Sequence, residues 1–178
     1  MDELILGGGC FWCTEAIFSN INGVISVQPG YSGGNTLNPT YADICTGTTG
    51  HAEVIKIIYD KEVLNHVDVF AVFFATHDPT TLNRQGGDVG TQYRSVIFYN
   101  SPSTKARYTE AINAAKDSGE FLDPVVTSLE EFSVFYPAEN YHENYYKNNS
   151  NSAYCSFVIT PKLEKVKSHF SSLLKESN

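Results

Sequence analysis

The sequence predicts an α+β fold: a small, mostly antiparallel or mixed sheet, with helices packed on it and long functional loops. Three observations support this. Short strand-like runs and helix-period segments are mixed without the regular strand–helix–strand rhythm of a parallel sheet. Two long polar loops hold most of the chemically able side chains, which is where function commonly sits. The 178 residues, 42% hydrophobic and 18% charged, suit one core rather than several or none. Residues 1–178 are therefore expected to form a single domain.

The elements follow in order. "ELIL" is a short apolar strand that runs into Gly7-Gly8-Gly9. Residues 10–20 read as a helix with Phe11, Ala16, Ile17 and Phe18 facing inward. From Gln28 to Gly50 the chain is rich in Gly, Asn, Thr and Pro, and reads as a long loop with one helical turn near Tyr41 to Ile44. "HAEVIKIIYD" is a strand rich in β-branched residues. Residues 62–76 place Leu64, Val67, Phe70, Ala71 and Phe74 at helical spacing. "HDPTTLNRQGGDVGTQY" is the second polar loop, and "YRSVIFY" the strand after it. "TKARYTEAINAAKDSG" is an exposed helix closed by Gly119, and "PVVTSLEEFSVF" reads as one more strand. An aromatic, His-containing segment, "YPAENYHENYYKNN", leads to a C-terminal helix from Lys162 to about Lys175.

The net charge of −8, from 12 basic and 20 acidic residues, argues against nucleic acid or an acidic membrane surface as main partner. The basic run "PKLEKVK" reads as a solvated helix face. No apolar stretch reaches spanning length, and Met1-Asp2-Glu3 enters structure without a signal-peptide pattern, so a cytoplasmic protein is expected. There, four cysteines are expected to be reduced, catalytic or metal-bound rather than a disulfide framework.

"GGGCFWCTEAIF" poses the chemical question. Four readings compete: a redox pair, half a metal site, a nucleophile, or two buried thiols without chemistry. A helix N-terminus offers free N–H groups and the positive end of a dipole, which stabilise a thiolate at Cys10. Cys13 shares its face at disulfide distance. Zinc finds little support, because Cys45 and Cys155 stand without paired ligands. In "HAEVIKIIYD", Glu53 has the parity of Ile55, Ile57 and Tyr59, with Lys56 on the other face. A carboxyl there is either a proton-holding general acid or a frayed strand end reaching water past His51. Tyr41, Asp88 and Tyr93 in the two loops are capable of hydrogen-bonding a polar substrate, though glycine-rich turns explain the second loop equally well.

These pieces unite in a resemblance. "GGGCFWCTEAIF" resembles the GCFW signature of A-class peptide methionine sulfoxide reductases. "PTYADICTGTTGHAEVIKIIYD", "HDPTTLNRQGGDVGTQYRSVIFY", "FYPAENYHENYY" and "AYCSFVITPKLEKV" continue it in the family's order, from residue 5 to about 167. The resemblance implies a ferredoxin-like α/β roll that reduces methionine (S)-sulfoxide, free and in proteins. It implies attack of Cys10 on the sulfoxide sulfur, leaving a sulfenic acid. Phe11 and Trp12 would accommodate the S-methyl group, Glu53 would protonate the oxygen, and Tyr41 and Tyr93 would hydrogen-bond it, with Asp88 matching the aspartate of the GTQY loop. Cys155 is the expected resolving thiol, with Cys13 as the alternative, because many members carry Gly there. No bound cofactor or metal is expected. Thioredoxin, or dithiothreitol in vitro, is the implied reductant of a monomeric enzyme. Cys45 is expected to be structural, and His51, His77 and His142 to take no direct part. A general thiol–disulfide oxidoreductase and a methionine-peptide binding module are the competing functions.

Overall fold

The computed structural model describes residues 1–176. Its strands are β1 (Asp2–Gly8), β2 (Val24–Ser32), β3 (Ala52–Tyr59), the short β4 (Arg84–Gln85) and β5 (Asp88–Val89), β6 (Ser95–Tyr99), β7 (Ser128–Glu131) and β8 (Phe135–Pro137). Its helices are α1 (Phe11–Phe18), α2 (Tyr41–Cys45), α3 (His66–Thr76), α4 (Pro102–Asp117), α5 (Tyr145–Asn149) and α6 (Thr160–His169). Six strands form one sheet in the order β7-β6-β1-β3-β2-β8, while β4 and β5 pair separately across Gly86-Gly87. All neighbours in the main sheet are antiparallel except β6 and β7.

The sheet curls into a roll, and the chain itself shows why. β7 and β8 lie on opposite edges, yet only residues 132–134 separate them. So short a link reaches at most about 14 Å. A flat sheet of this width would set its edges about 24 Å apart. The edges must approach, and Phe132 and Phe135 pack against a small cluster of Ile5, Ala52, Val54, Val96 and Phe98. The main core lies on the other face, where Leu4, Leu6, Ile55 and Ile57 meet Phe11, Ile17 and Phe18 of α1 and Phe73 of α3.

Several expectations are corrected. The loop expected from Gln28 begins inside β2, because Pro29 and Gly30 act as strand residues. Pro29 has no N–H to give, and its carbonyl accepts from Ala138 N–H at 3.0 Å. The Phe135 ring lies across Gly30 where a side chain would stand. The strand expected over "PVVTSLEEFSVF" is two strands on opposite edges. α3 starts at His66, capped by Asn65, and buries Val69, Phe70, Val72, Phe73 and Phe74, while Val67 and Ala71 are exposed. That helix is apolar nearly all round, so its periodicity does not select the inner face. The C-terminal helix ends at His169, followed by a 3₁₀ turn at Ser171–Leu173 and a bridge from Leu174 to Ile21. A π-helical turn, Cys155–Ile159, precedes it.

Candidate active site

Gly9, at φ +91°, turns the chain off β1 into α1, a conformation that glycine adopts without strain. Cys10 is the N-cap residue of α1, and its carbonyl accepts from Cys13 N–H at 3.1 Å. The first N–H groups of a helix have no partner within it. Phe11 N–H finds one in Glu53, donating to Oε1 at 3.1 Å. Strand β3 thus delivers its carboxyl to the start of the helix that carries the cysteines.

Glu53 is 1% exposed. Burial pushes its carboxyl up to about 8, with Asp88 and Cys13 acting in the same direction and the Phe11 N–H opposing. The group holds its proton at neutral pH. Parity placed Glu53 on the inner face of β3, and that is where it lies.

The thiols divide the charge differently from the expectation. Cys10 is pushed well above the ordinary thiol range by burial, by its hydrogen bond to Cys13 and by Glu53, and only the Trp12 N–H pulls it down. Cys13 falls to about 7, because Cys10 donates to it and because Lys162 and Tyr154 favour its thiolate over the opposing burial. The two shifts run in opposite directions, upward at Cys10 and downward at Cys13. Tyr154 completes a chain: its hydroxyl lies 3.6 Å from Cys13 Sγ and donates to Asp88 Oδ2 at 2.8 Å, and its single proton can turn to Cys13 when that sulfur is ionised. No local signal marks Tyr154 in the sequence; it stands beside Cys155 in the quoted segment.

An aromatic wall adjoins the thiols. Trp12, half-buried, stacks on Tyr145 at 3.7 Å between centroids and meets Tyr154 edge-on at 5.8 Å. Its indole Nε1–H donates to His142 Nδ1 at 3.0 Å. An accepting Nδ1 leaves the proton of the neutral ring on Nε2, and that buried atom has no partner among the described residues. Burial lowers the His142 pKa, which keeps the ring neutral. Phe11 lies fully buried beneath, its ring 5.6 Å from Tyr31 and 5.0 Å from His142. Tyr41 packs on His142 at 4.5 Å. The hydroxyls of Tyr41 and Tyr93 are raised first by burial and next by Glu53, which places both phenols within reach of its charge. Cys10, Phe11, Trp12, Cys13, Tyr41, Glu53, Asp88 and Tyr93 thus converge from four separate stretches of chain.

Cys155 is fully buried in the π-helical turn beside Tyr154. Cys45 is exposed at the end of α2, its thiol against the Tyr41 hydroxyl. His51 is a loop fastener, accepting from Gly34 N–H at 3.0 Å and joining Thr36 O at 2.7 Å. His77 is buried between Phe73 O and Ser95 Oγ, and burial lowers it to about 4. Among the described residues no cluster of three or more His, Cys, Asp or Glu side chains is arranged to hold a metal. An apolar groove of about 800 Å³ between α3, α4 and α6 includes none of these converging residues.

Comparison with known proteins places this constellation. The family described as peptide methionine sulfoxide reductase matches residues 2–174. The peptide methionine sulfoxide reductase MsrA of Leptospira borgpetersenii is 49% identical over 165 residues, covering 93% of each chain. That of Acinetobacter baumannii (strain SDF) is 51% identical over 176 residues, covering 99% of each. Among solved structures, methionine sulfoxide reductase A of Corynebacterium diphtheriae superposes with a TM-score of 0.78 at 32% identity, over 85% of this chain and 76% of that one. Reduced Mxr1 of Saccharomyces cerevisiae does so with 0.77 at 30% identity, over 86% and 88%. A fold of curled sheet and helices, with a cysteine at a helix N-terminus, thus accompanies a family of sulfur oxidoreductases. The chain belongs to the A-class peptide methionine sulfoxide reductases and is an enzyme that reduces methionine sulfoxide.

Proposed function

We propose that residues 1–178 form a single catalytic domain, monomeric and cytoplasmic, that repairs methionine (S)-sulfoxide both free and in oxidised proteins. No helix among the described residues is long and apolar enough to cross a membrane. The observation that carries the mechanism is the meeting of a proton-holding carboxyl, Glu53, with a hydrogen-bonded thiol pair at the N-terminus of α1. Sulfoxide oxygen leaves poorly until it is protonated, so a sulfur nucleophile and a neutral acid must coexist.

In this reading the substrate methyl group rests on Trp12 and the Phe11 side, and the oxygen accepts from Tyr41, Tyr93 and Glu53. The Cys10 proton passes to the Cys13 thiolate as Cys10 sulfur attacks the sulfoxide sulfur. Glu53 gives its proton to the oxygen, the sulfur–oxygen bond of the substrate breaks as the hydroxyl passes to Cys10 sulfur, and the bond between the two sulfurs breaks with its electron pair returning to the substrate sulfur. Methionine then leaves, with Cys10 as sulfenic acid and Glu53 ionised until it regains a proton from solvent. Cys13, now a thiol and already in contact, displaces the hydroxyl as water and forms the Cys10–Cys13 disulfide. A reduced dithiol, thioredoxin in the cell or dithiothreitol in vitro, then exchanges with that disulfide and restores both thiols. This order makes Cys13, hydrogen-bonded to Cys10, the first resolving thiol ahead of Cys155. Mxr1, the yeast protein of this fold, has been solved in complex with Trx2, in keeping with thioredoxin as the reductant.

The test is incubation with dithiothreitol and each sulfoxide epimer separately, with methionine quantified. Product from the S epimer alone, abolished in Cys10→Ser, is expected. Product from the R epimer, or residual reductase activity without Cys10, would overturn the assignment.

A further inference from the structure

Tyr41 occupies the first position of α2, a helix of five residues. So short a helix does not hold itself in water. Its capping box of Thr40 and Asp43 is exposed and closes only on itself. Buried Ile44 ties the helix to the core at one point. The Tyr41 ring packs on His142, and its backbone is held by Glu139. Its Oε2 accepts from Tyr41 N–H at 3.0 Å, and its Oε1 accepts from the Tyr31 hydroxyl at 3.0 Å. Tyr31 is fully buried on β2, directly opposite Glu53 in the strand register. One carboxylate therefore joins the start of α2 to the strand beside the buried acid.

We infer that Glu139 is a positioning residue, which fixes the Tyr41 hydroxyl toward the sulfoxide oxygen by clamping the Tyr41 N–H to the rigid Tyr31. The inference rests on the proposed role of Tyr41. Burial pushes Glu139 up, but the Tyr41 N–H, its own N–H and the Tyr31 hydroxyl more than offset it and keep the group ionised at neutral pH. Both oxygens are then available as acceptors. A glutamine can keep the same bridge, its carbonyl accepting from Tyr41 N–H and its amide donating to the Tyr31 oxygen. An alanine cannot.

The experiment is steady-state kinetics on methionine (S)-sulfoxide with dithiothreitol, in a double-mutant cycle, with thermal midpoints confirming that each variant is folded. Glu139→Ala is expected to lower kcat about ten- to a hundredfold with KM little changed, the scale of a reacting group misplaced by about 1 Å. Glu139→Gln is expected to stay within about threefold of the unmodified enzyme. In a Tyr41→Phe background the Glu139→Ala loss should vanish, whereas in Tyr93→Phe it should persist undiminished. Tyr31→Phe, which removes one anchor only, should cost a few-fold, again only where Tyr41 is present. If Glu139→Ala costs as much in Tyr41→Phe as in the unmodified enzyme, or if Glu139→Gln is as damaged as Glu139→Ala, the inference is overturned. A Tyr41→Phe enzyme of undiminished rate would instead overturn the role of Tyr41 itself, which separates the two failures.

Discussion

Replacing Glu53 by glutamine should cost activity and gain stability, and the gain should depend on pH. The buried carboxyl is raised from 4.5 to about 8, chiefly by burial. Between those values the unfolded chain has released the proton while the folded one keeps it. Stability therefore falls as pH rises through this window and is flat above it. At 1.36 kcal/mol per pH unit the whole interval amounts to about 5 kcal/mol. Glutamine keeps the acceptor for Phe11 N–H and has no proton to lose. Its advantage in urea unfolding should therefore grow by about 1.4 kcal/mol per unit from pH 6 to about 8, then level off. At the plateau, about 3–5 kcal/mol corresponds to a rise in midpoint of roughly 6–20 °C for a domain of this size. The same variant should lose about a hundredfold or more in kcat, since no neutral acid remains. A stability difference that does not vary with pH, or a variant less stable at pH 8.5, would refute the account of a carboxyl kept neutral by burial. A near-normal rate would refute the role as general acid.

The pH–rate profile of kcat/KM should be a narrow bell, rising through about 7 as Cys13 ionises and falling through about 8 as Glu53 does. Glu53→Gln should remove the falling limb. Tyr154→Phe, by withdrawing a donor from Cys13, should move the rising limb to higher pH; an unmoved limb would dissociate Tyr154 from the thiol. Cys13→Ser should yield about one methionine per enzyme and then accumulate a dimedone-trappable sulfenic acid, whereas Cys155→Ser should turn over with dithiothreitol. Peptide mapping that finds Cys10 joined to Cys155, with Cys13→Ser turning over freely, would reverse that order. Trp12→Ala should lower kcat/KM about 10- to 200-fold through lost contact with the methyl group, and a change under twofold would take the indole out of the site.

Much of the site is legible in the sequence where the controlling physics is local. Three glycines before Cys10 predict a turn into a helix, and the turn is there at Gly9. Strict alternation along β3 puts Glu53 on the inner face, since a strand's side chains have a period of two. Tyr41 to Ile44 announces one helical turn, and α2 forms there with its capping box. The helix read from Thr104 is there as α4, beginning two residues earlier at Pro102 with Ser101 as its cap. The motifs carry the rest, because five segments in a fixed order identify a family that no single one would.

Other features depend on parts of the chain far apart in sequence. Pro29 and Gly30 read as breakers, and only the acceptance of Ala138 N–H and the Phe135 ring make them strand residues. Residues 124–135 read as one strand, whereas the curled sheet holds Ser128–Glu131 on one edge and the strand that starts at Phe135 on the other. The helix N-terminus favours a thiolate at Cys10, whereas burial, Cys13 and Glu53 push that thiol up. Tyr154 and Glu139 carry no local mark at all. The sequence by itself determined which groups the protein possesses, where its glycine turn and the short α2 fall, and which face of β3 carries Glu53. Tertiary structure alone decided which neighbours shift the two thiols, which carboxyl is buried beside them, and what holds the Tyr41 N–H. Propensity and periodicity act over a few residues, whereas desolvation and charge sum over every neighbour that folding brings near.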